Sequence, residues 1–120
     1  MDENIDVLLK SLSNSKFRGS FHLNKKMKEL VHEKGMDKIK SDAREIITKR
    51  IGNAFPKNDG KQTPMKQVHP VFIAQHATGC CCRGCLERIH HIKKGHDLNS
   101  NEIEYVVEVI MCWIEKEILN

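Results

Sequence analysis

Between His76 and His91 the chain reads His-Ala-Thr-Gly-Cys-Cys-Cys-Arg-Gly-Cys-Leu-Glu-Arg-Ile-His-His, gathering four of its five cysteines and three of its seven histidines into sixteen residues. Thiolate and imidazole are the side chains that bind zinc and other borderline-soft cations best. Cys82-x-x-Cys85 followed by His90 offers three ligands at workable separations, and His76 from the preceding segment completes a Cys2His2 set. His69, further upstream, and Cys81, four residues before Cys85, compete for a place in that set. A zinc ion is the expected cofactor.

Two other chemistries fit the same residues. Cys82, Cys85, Leu86 and Ile89 repeat at helical spacing and share one face, where reduced cysteines serve as small core residues. Against that, three consecutive cysteines cannot all point the same way, and imidazoles fill cores poorly unless their nitrogens are paired. Alternatively, Arg83, Arg88, a nearby histidine and a helix amino terminus would lower a thiol pKa and make a reactive thiolate. An enzyme built this way would gather His69, Gln75, His76 and the Cys81–Cys85 motif around an open metal position or that thiol. An iron–sulfur cluster fits less well, because three adjacent residues have poor reach to separate irons. Disulfides are disfavoured by the odd cysteine count and by the cytoplasmic location expected below.

The elements that must position this cluster read as helices throughout. Ile5, Leu8, Leu9 and Leu12 form the apolar stripe of a first helix ending near Ser13-Asn14-Ser15. Asn24 is a good N-cap for a second helix, with Met27, Leu30 and Val31 inward and Gly35 as its stop. Ile39, Ala43, Ile46, Ile47 and Ile51 line a third helix from about Asp37, and Gly52-Asn53 end it. Pro56, Asn58-Asp59-Gly60 and Pro64 break residues 52 to 68 into a long surface loop, with Lys57, Lys61, Gln62, Thr63 and Lys66 as donors for an anionic ligand. His69-Pro70 opens a short buried segment, Val71 to Ala77, read as helix over strand, and Gly79 breaks the chain before the cysteines. Asn99-x-x-Glu102 is a capping box for a last helix carrying Ile103, Val106, Val107, Ile110, Met111, Ile114 and Ile118. That helix is expected at the centre of the core, with Cys112 packing on its flank. The expected fold is one all-α domain over residues 1–120, a compact bundle of about five to six helices with the Cys/His cluster between helices.

Charge is uneven along the chain. Residues 1 to 66 hold 15 Lys and Arg against 9 Asp and Glu, and residues 67 to 120 hold 5 against 7. The basic amino-terminal half suits nucleic acid or another anionic partner, with Lys16, Arg18, Lys25, Lys26 and Lys61 as the contacting residues. Only six aromatics are present, so stacking on single strands is not the expected mode. Asp2, Glu3 and Asp6 are unlike a secretory signal, and no apolar run approaches a membrane span, so a soluble cytoplasmic protein is expected.

The segments Ser15-Lys-Phe-Arg18, Phe21-His22-Leu23, Asn58-Asp-Gly-Lys-Gln-Thr-Pro-Met65, His69-Pro-Val-Phe-Ile-Ala-Gln-His-Ala-Thr78 and Cys81-Cys-Arg-Gly-Cys-Leu86 resemble a small prokaryotic family, the domain of unknown function 4186. The resemblance covers nearly the whole chain and brings no activity with it. It implies a Cys-Cys-Arg-x-Cys-Leu motif followed by Trp-His, which maps onto Cys81, Cys82, Cys85 and His90 and leaves out Cys80 and His91. Ile89 stands where the pattern has tryptophan and Lys93 where it often has proline, which implies a looser turn after the cysteine helix. Helix, His90 to Gly95, helix is also similar in outline to a helix-hairpin-helix element, although one glycine alone matches and the next helix is acidic.

Overall fold

Each apolar repeat becomes a helix. The computed structural model describes residues 3–57 and 63–120. Among them are six α-helices: α1 (Glu3–Ser13), α2 (Lys25–Lys34), α3 (Met36–Ile51), α4 (Pro70–Thr78), α5 (Arg83–His90) and α6 (Ser100–Leu119), with a 3-10 turn at Arg18–Ser20. No described residue lies in a strand. The all-α bundle is therefore the fold, and between α3 and α4 the described residues 52–57 and 63–69 are irregular. The Asn58-Asp59-Gly60 turn, Lys61 and Gln62 fall outside the described residues.

Local chemistry sets the boundaries. Asn24 Oδ1 accepts from the Met27 N–H at 2.9 Å, and Gly35, at φ 82°, ends α2 and turns the chain straight into α3. The capping box of α6 is complete: the Glu102 N–H donates to Asn99 Oδ1 at 2.9 Å, and the Asn99 N–H donates to Glu102 Oε1 at 3.0 Å. Pro70 sits in the first turn of α4, where its missing N–H costs nothing, and the helix reading of Val71 to Ala77 holds.

The centre of the core belongs to α4 rather than to α6. Every residue of α4 except Phe72 is buried, and the helix touches α1, α2, α3, α6 and the 3-10 turn. The longer α6 packs along α3 and α4 through Val106, Val107, Ile110 and Ile114, and it keeps Glu104, Glu108 and Glu115 in solvent. An amphipathic helix with a polar face must stay at the surface; a short helix without one fits the middle. No helix among the described residues is long and apolar enough to cross a membrane.

Arg83 ties the carboxy-terminal third together. Its guanidinium is 1% exposed and donates to four carbonyls: Ile51 at 3.3 Å, Asn53 at 2.8 Å, Lys93 at 3.1 Å and His96 at 2.9 Å. Ile51 is the last residue of α3, where the helix dipole favours a cation. The connector after α5 is held by the same side chain and by Ile92 N–H donating to the Leu86 carbonyl at 3.2 Å, so the turn expected to be loose is well anchored. Arg83→Met leaves these buried carbonyls without their donor and is expected to lower unfolding free energy by about 3 kcal/mol or more, measured by urea denaturation.

Candidate metal centre

The cysteine run begins where α4 stops. Gly79 takes the left-handed conformation at φ 73°, which favours glycine, and a Cβ there would also press on the tip of the Ile89 side chain. The Cys80 N–H then donates to the Gln75 carbonyl at 2.8 Å, and the Cys80 side chain enters the core, fully buried. Burial pushes its thiol pKa up to about 12, which makes it an inert packing residue. Cys112 is likewise buried, with burial pushing its thiol pKa up, in keeping with packing.

Cys81 and Cys82 carry the chain round to α5. Cys82 is the N-cap, its Sγ accepting from the Cys85 N–H at 3.4 Å, and Cys85 follows in the first turn. The sulfurs of Cys81, Cys82 and Cys85 all lie within 4.8 Å of one another, and among the described residues no other three His, Cys, Asp or Glu ligand atoms gather this way. A tetrahedral zinc with bonds near 2.3 Å separates its sulfurs by about 3.8 Å, so small rotamer adjustments would close the set on an ion. The donor set fits a borderline-soft divalent cation and is poorly suited to magnesium or calcium, which want oxygen.

The electrostatics concentrate on Cys85. Its thiol pKa is held well below the ordinary range, chiefly because the Cys81 thiol donates to it, with Cys82 and the Arg18 guanidinium adding to the effect and burial opposing it. The same hydrogen bond, with burial, raises Cys81. Without metal these donors favour the thiolate form of Cys85 over that of its neighbours. Arg18 Nη2 donates to Cys85 Sγ at 3.3 Å, Arg88 Nη2 approaches it at 3.5 Å, and the first turn of α5 supplies a partial positive charge.

Arg18 reaches the sulfurs because the 3-10 turn is docked on α4. Arg18 Nη1 donates to the His76 carbonyl at 2.6 Å, the Phe21 ring stacks on the His76 ring at 5.3 Å, and Phe17 meets Phe21 edge-on at 5.1 Å. Downstream, buried Glu117 accepts from the Leu23 N–H at 2.8 Å and fixes the strap to α6. A side chain at Gly19 would collide with the Ser13 carbonyl, so the tight approach of turn to α1 also needs glycine. Beyond Arg18, away from the cysteines, lies a cavity of about 470 Å³ lined by Lys10, Phe21, His22, Trp113 and Glu117 among others. From the loop side, Thr63 Oγ1 donates to the Cys81 carbonyl at 2.8 Å. Thr63, expected to serve an anion, is buried and positions the cysteine backbone instead.

Of the expected ligands Cys82, Cys85, His90 and His76, and the competitors Cys81 and His69, the structure brings together the three cysteines alone. His90 Nε2 donates to the Thr78 carbonyl at 2.7 Å, and its Nδ1 faces the Tyr105 hydroxyl at 2.9 Å. Five residues past Cys85 on a helix is a rotation of about 140°, so His90 leaves α5 on another face, beside Cys80. Burial lowers its pKa. His76 Nε2 donates to the Thr63 carbonyl at 3.0 Å. His69 caps α4, accepting from the Val71 N–H at 3.1 Å and meeting Asp42 at 3.2 Å, at the end of the helix away from the cysteines, roughly 13 Å along its axis. Both of its nitrogens are occupied.

The basic residues divide similarly. Arg18 is not a surface phosphate contact: it is 9% exposed and turned inward onto sulfur. Lys16, Lys25 and Lys26 are exposed, and Lys61 lies outside the described residues. Arg83, expected to lower a thiol pKa, spends its guanidinium on carbonyls, and Arg18 takes that role.

Over residues 6–115 the chain matches the family described as a domain of unknown function (DUF4186). The chain belongs to that family. No solved structure matches it. Within this DUF4186 chain the residue that spacing alone missed is Arg18, 63 positions from Cys81 in sequence. The signal available was the Ser15-to-Arg18 segment itself, one of those carrying the family resemblance.

Stripped of metal, the protein is expected to be alkylated by iodoacetamide at Cys85 first, already at about pH 6, while Cys80 and Cys112 stay protected. Because folding lowers this thiol's pKa, its contribution to stability is full above the unfolded value near 9.0 and is lost as pH falls through the folded value. Arg18→Met moves the alkylation profile to higher pH, read by mass spectrometry of the labelled peptide.

Proposed function

We propose that this protein is a metal-binding protein whose ion, zinc, is held by Cys81, Cys82 and Cys85. The observation that carries the reading is the convergence of three sulfurs at the amino end of one helix beside two guanidiniums. With the ion bound all three sulfurs are thiolates, and the charge so concentrated is offset by the cation and by Arg18 and Arg88. Three protein ligands, where a closed structural site has four, match the pattern of sites that keep a position for an outside group. A chain of 120 residues has enough core to fold without metal, so the ion serves something other than folding.

A second reading rests on the Cys85 thiolate. With metal absent, a lowered pKa beside a guanidinium supports nucleophilic or redox chemistry by the same sulfur. Cys85 is then the nucleophile, with Arg18 holding its charge.

Elemental analysis of protein purified without added metal separates the two. The first reading expects one zinc per chain, none in Cys82→Ser/Cys85→Ser, and full loading in His76→Ala and His90→Ala. Excess zinc is expected to raise unfolding free energy by about 4 kcal/mol when free metal exceeds its dissociation constant a thousandfold. Metal-free protein that neither takes up zinc nor gains stability from it supports the thiol reading instead.

A further inference from the structure

We infer that the fourth position at the cysteine site takes a small soft anion, a low-molecular-weight thiolate, from solution. The inference deepens the zinc reading and depends on it. It begins from charge. Three thiolates around a divalent cation leave a net charge of −1, whereas Arg18 and Arg88 bring +2 to the same sulfurs, and the first turn of α5 adds a further partial positive charge. A neutral fourth ligand such as imidazole leaves that balance positive; one more negative charge offsets the two guanidiniums and leaves the partial charge of the helix turn alone.

The protein's own neutral donors are also spent elsewhere. His76 and His90 each donate a ring N–H to a carbonyl, Thr63 and Thr78 respectively, and His69 caps the far end of α4. Cys80, the remaining cysteine of the run, is fully buried in the core on the His90 side. Among the described residues nothing else with a metal-ligating atom joins the three sulfurs.

Softness and access point the same way. A site of three sulfurs favours a fourth soft donor over a carboxylate or a water. Cys82 is half-buried, while Cys81, Cys85 and Arg18 form the buried side of the group, so a ligand approaches across Cys82. Exposed Arg88 flanks that approach from α5. On binding, the thiol R–SH gives its proton to the buffer and its sulfur lone pair to the metal. No bond within R breaks and no electron is transferred.

The test uses the full chain loaded with one equivalent of cobalt(II), which reports sulfur ligation by charge-transfer absorption and coordination number by its visible bands. Addition of 2-mercaptoethanol, a monothiol, is expected to strengthen the sulfur-to-cobalt band by about one-third, three sulfurs becoming four, with cobalt retained through gel filtration. Arg88→Gln, a change at an exposed side chain, is expected to weaken the thiol response about two- to fivefold, compared at equal cobalt occupancy. Imidazole or acetate acting at lower concentration than the thiol would overturn the inference. So would a spectrum indifferent to millimolar thiol, or cobalt stripped from the protein by it. Absence of any sulfur-to-cobalt band before thiol is added would instead defeat the underlying metal reading.

Discussion

The structure turns on keeping a charged sulfur at a buried place. A thiolate removed from water is costly unless donors surround it, and Cys85 is surrounded: by the Cys81 thiol, by Cys82, by Arg18 and by the opening turn of α5. Arg18 comes from a distant part of the chain and requires the most construction. The 3-10 turn, the Phe17–Phe21–His76 ring stack, the glycine against α1 and the Glu117 anchor all bear on where one guanidinium ends. Without that docking the sulfurs would face uncompensated burial of charge, and protonation would be the cheaper state.

A second guanidinium solves a different problem. Arg83 sits in the middle of the cysteine motif, yet it faces away from the sulfurs and closes the end of α3 and the connector after α5 through four carbonyls. The motif Cys-Cys-Arg-Gly-Cys thus looks two ways. Its cysteines build a site on one side of the first turn of α5, and its arginine fastens that turn to the rest of the molecule on the other. Site geometry and fold stability are coupled through this short segment.

The helices were legible because helical periodicity, caps and stops are local properties. Asn24, Gly35, Gly79 and the Asn99–Glu102 box act where the residue pattern puts them. The Cys82–Cys85 pair was legible for the same reason, since three residues on a helix share a face. What depended on tertiary placement was not legible. His90 follows the cysteines closely in sequence but leaves α5 on another side, toward Thr78 and Tyr105. His76 and His69 look like ligands by type, yet the backbone groups of neighbouring segments claim their nitrogens first. Arg18 reads as a surface cation in a basic stretch, and only the fold shows it facing sulfur. The centrality of α4 is likewise a matter of packing: α6 has the longer apolar stripe, but its polar face holds it at the surface.

Zinc K-edge X-ray absorption on the loaded protein, prepared without thiol reductant, tests the central claim most directly. A ligand set of Cys81, Cys82 and Cys85 predicts three sulfur scatterers at about 2.3 Å and one lighter atom, with no multiple-scattering signature of imidazole. Two sulfurs and two imidazole nitrogens would contradict it, and would mean that His76 and His90 abandon their carbonyl partners for the metal.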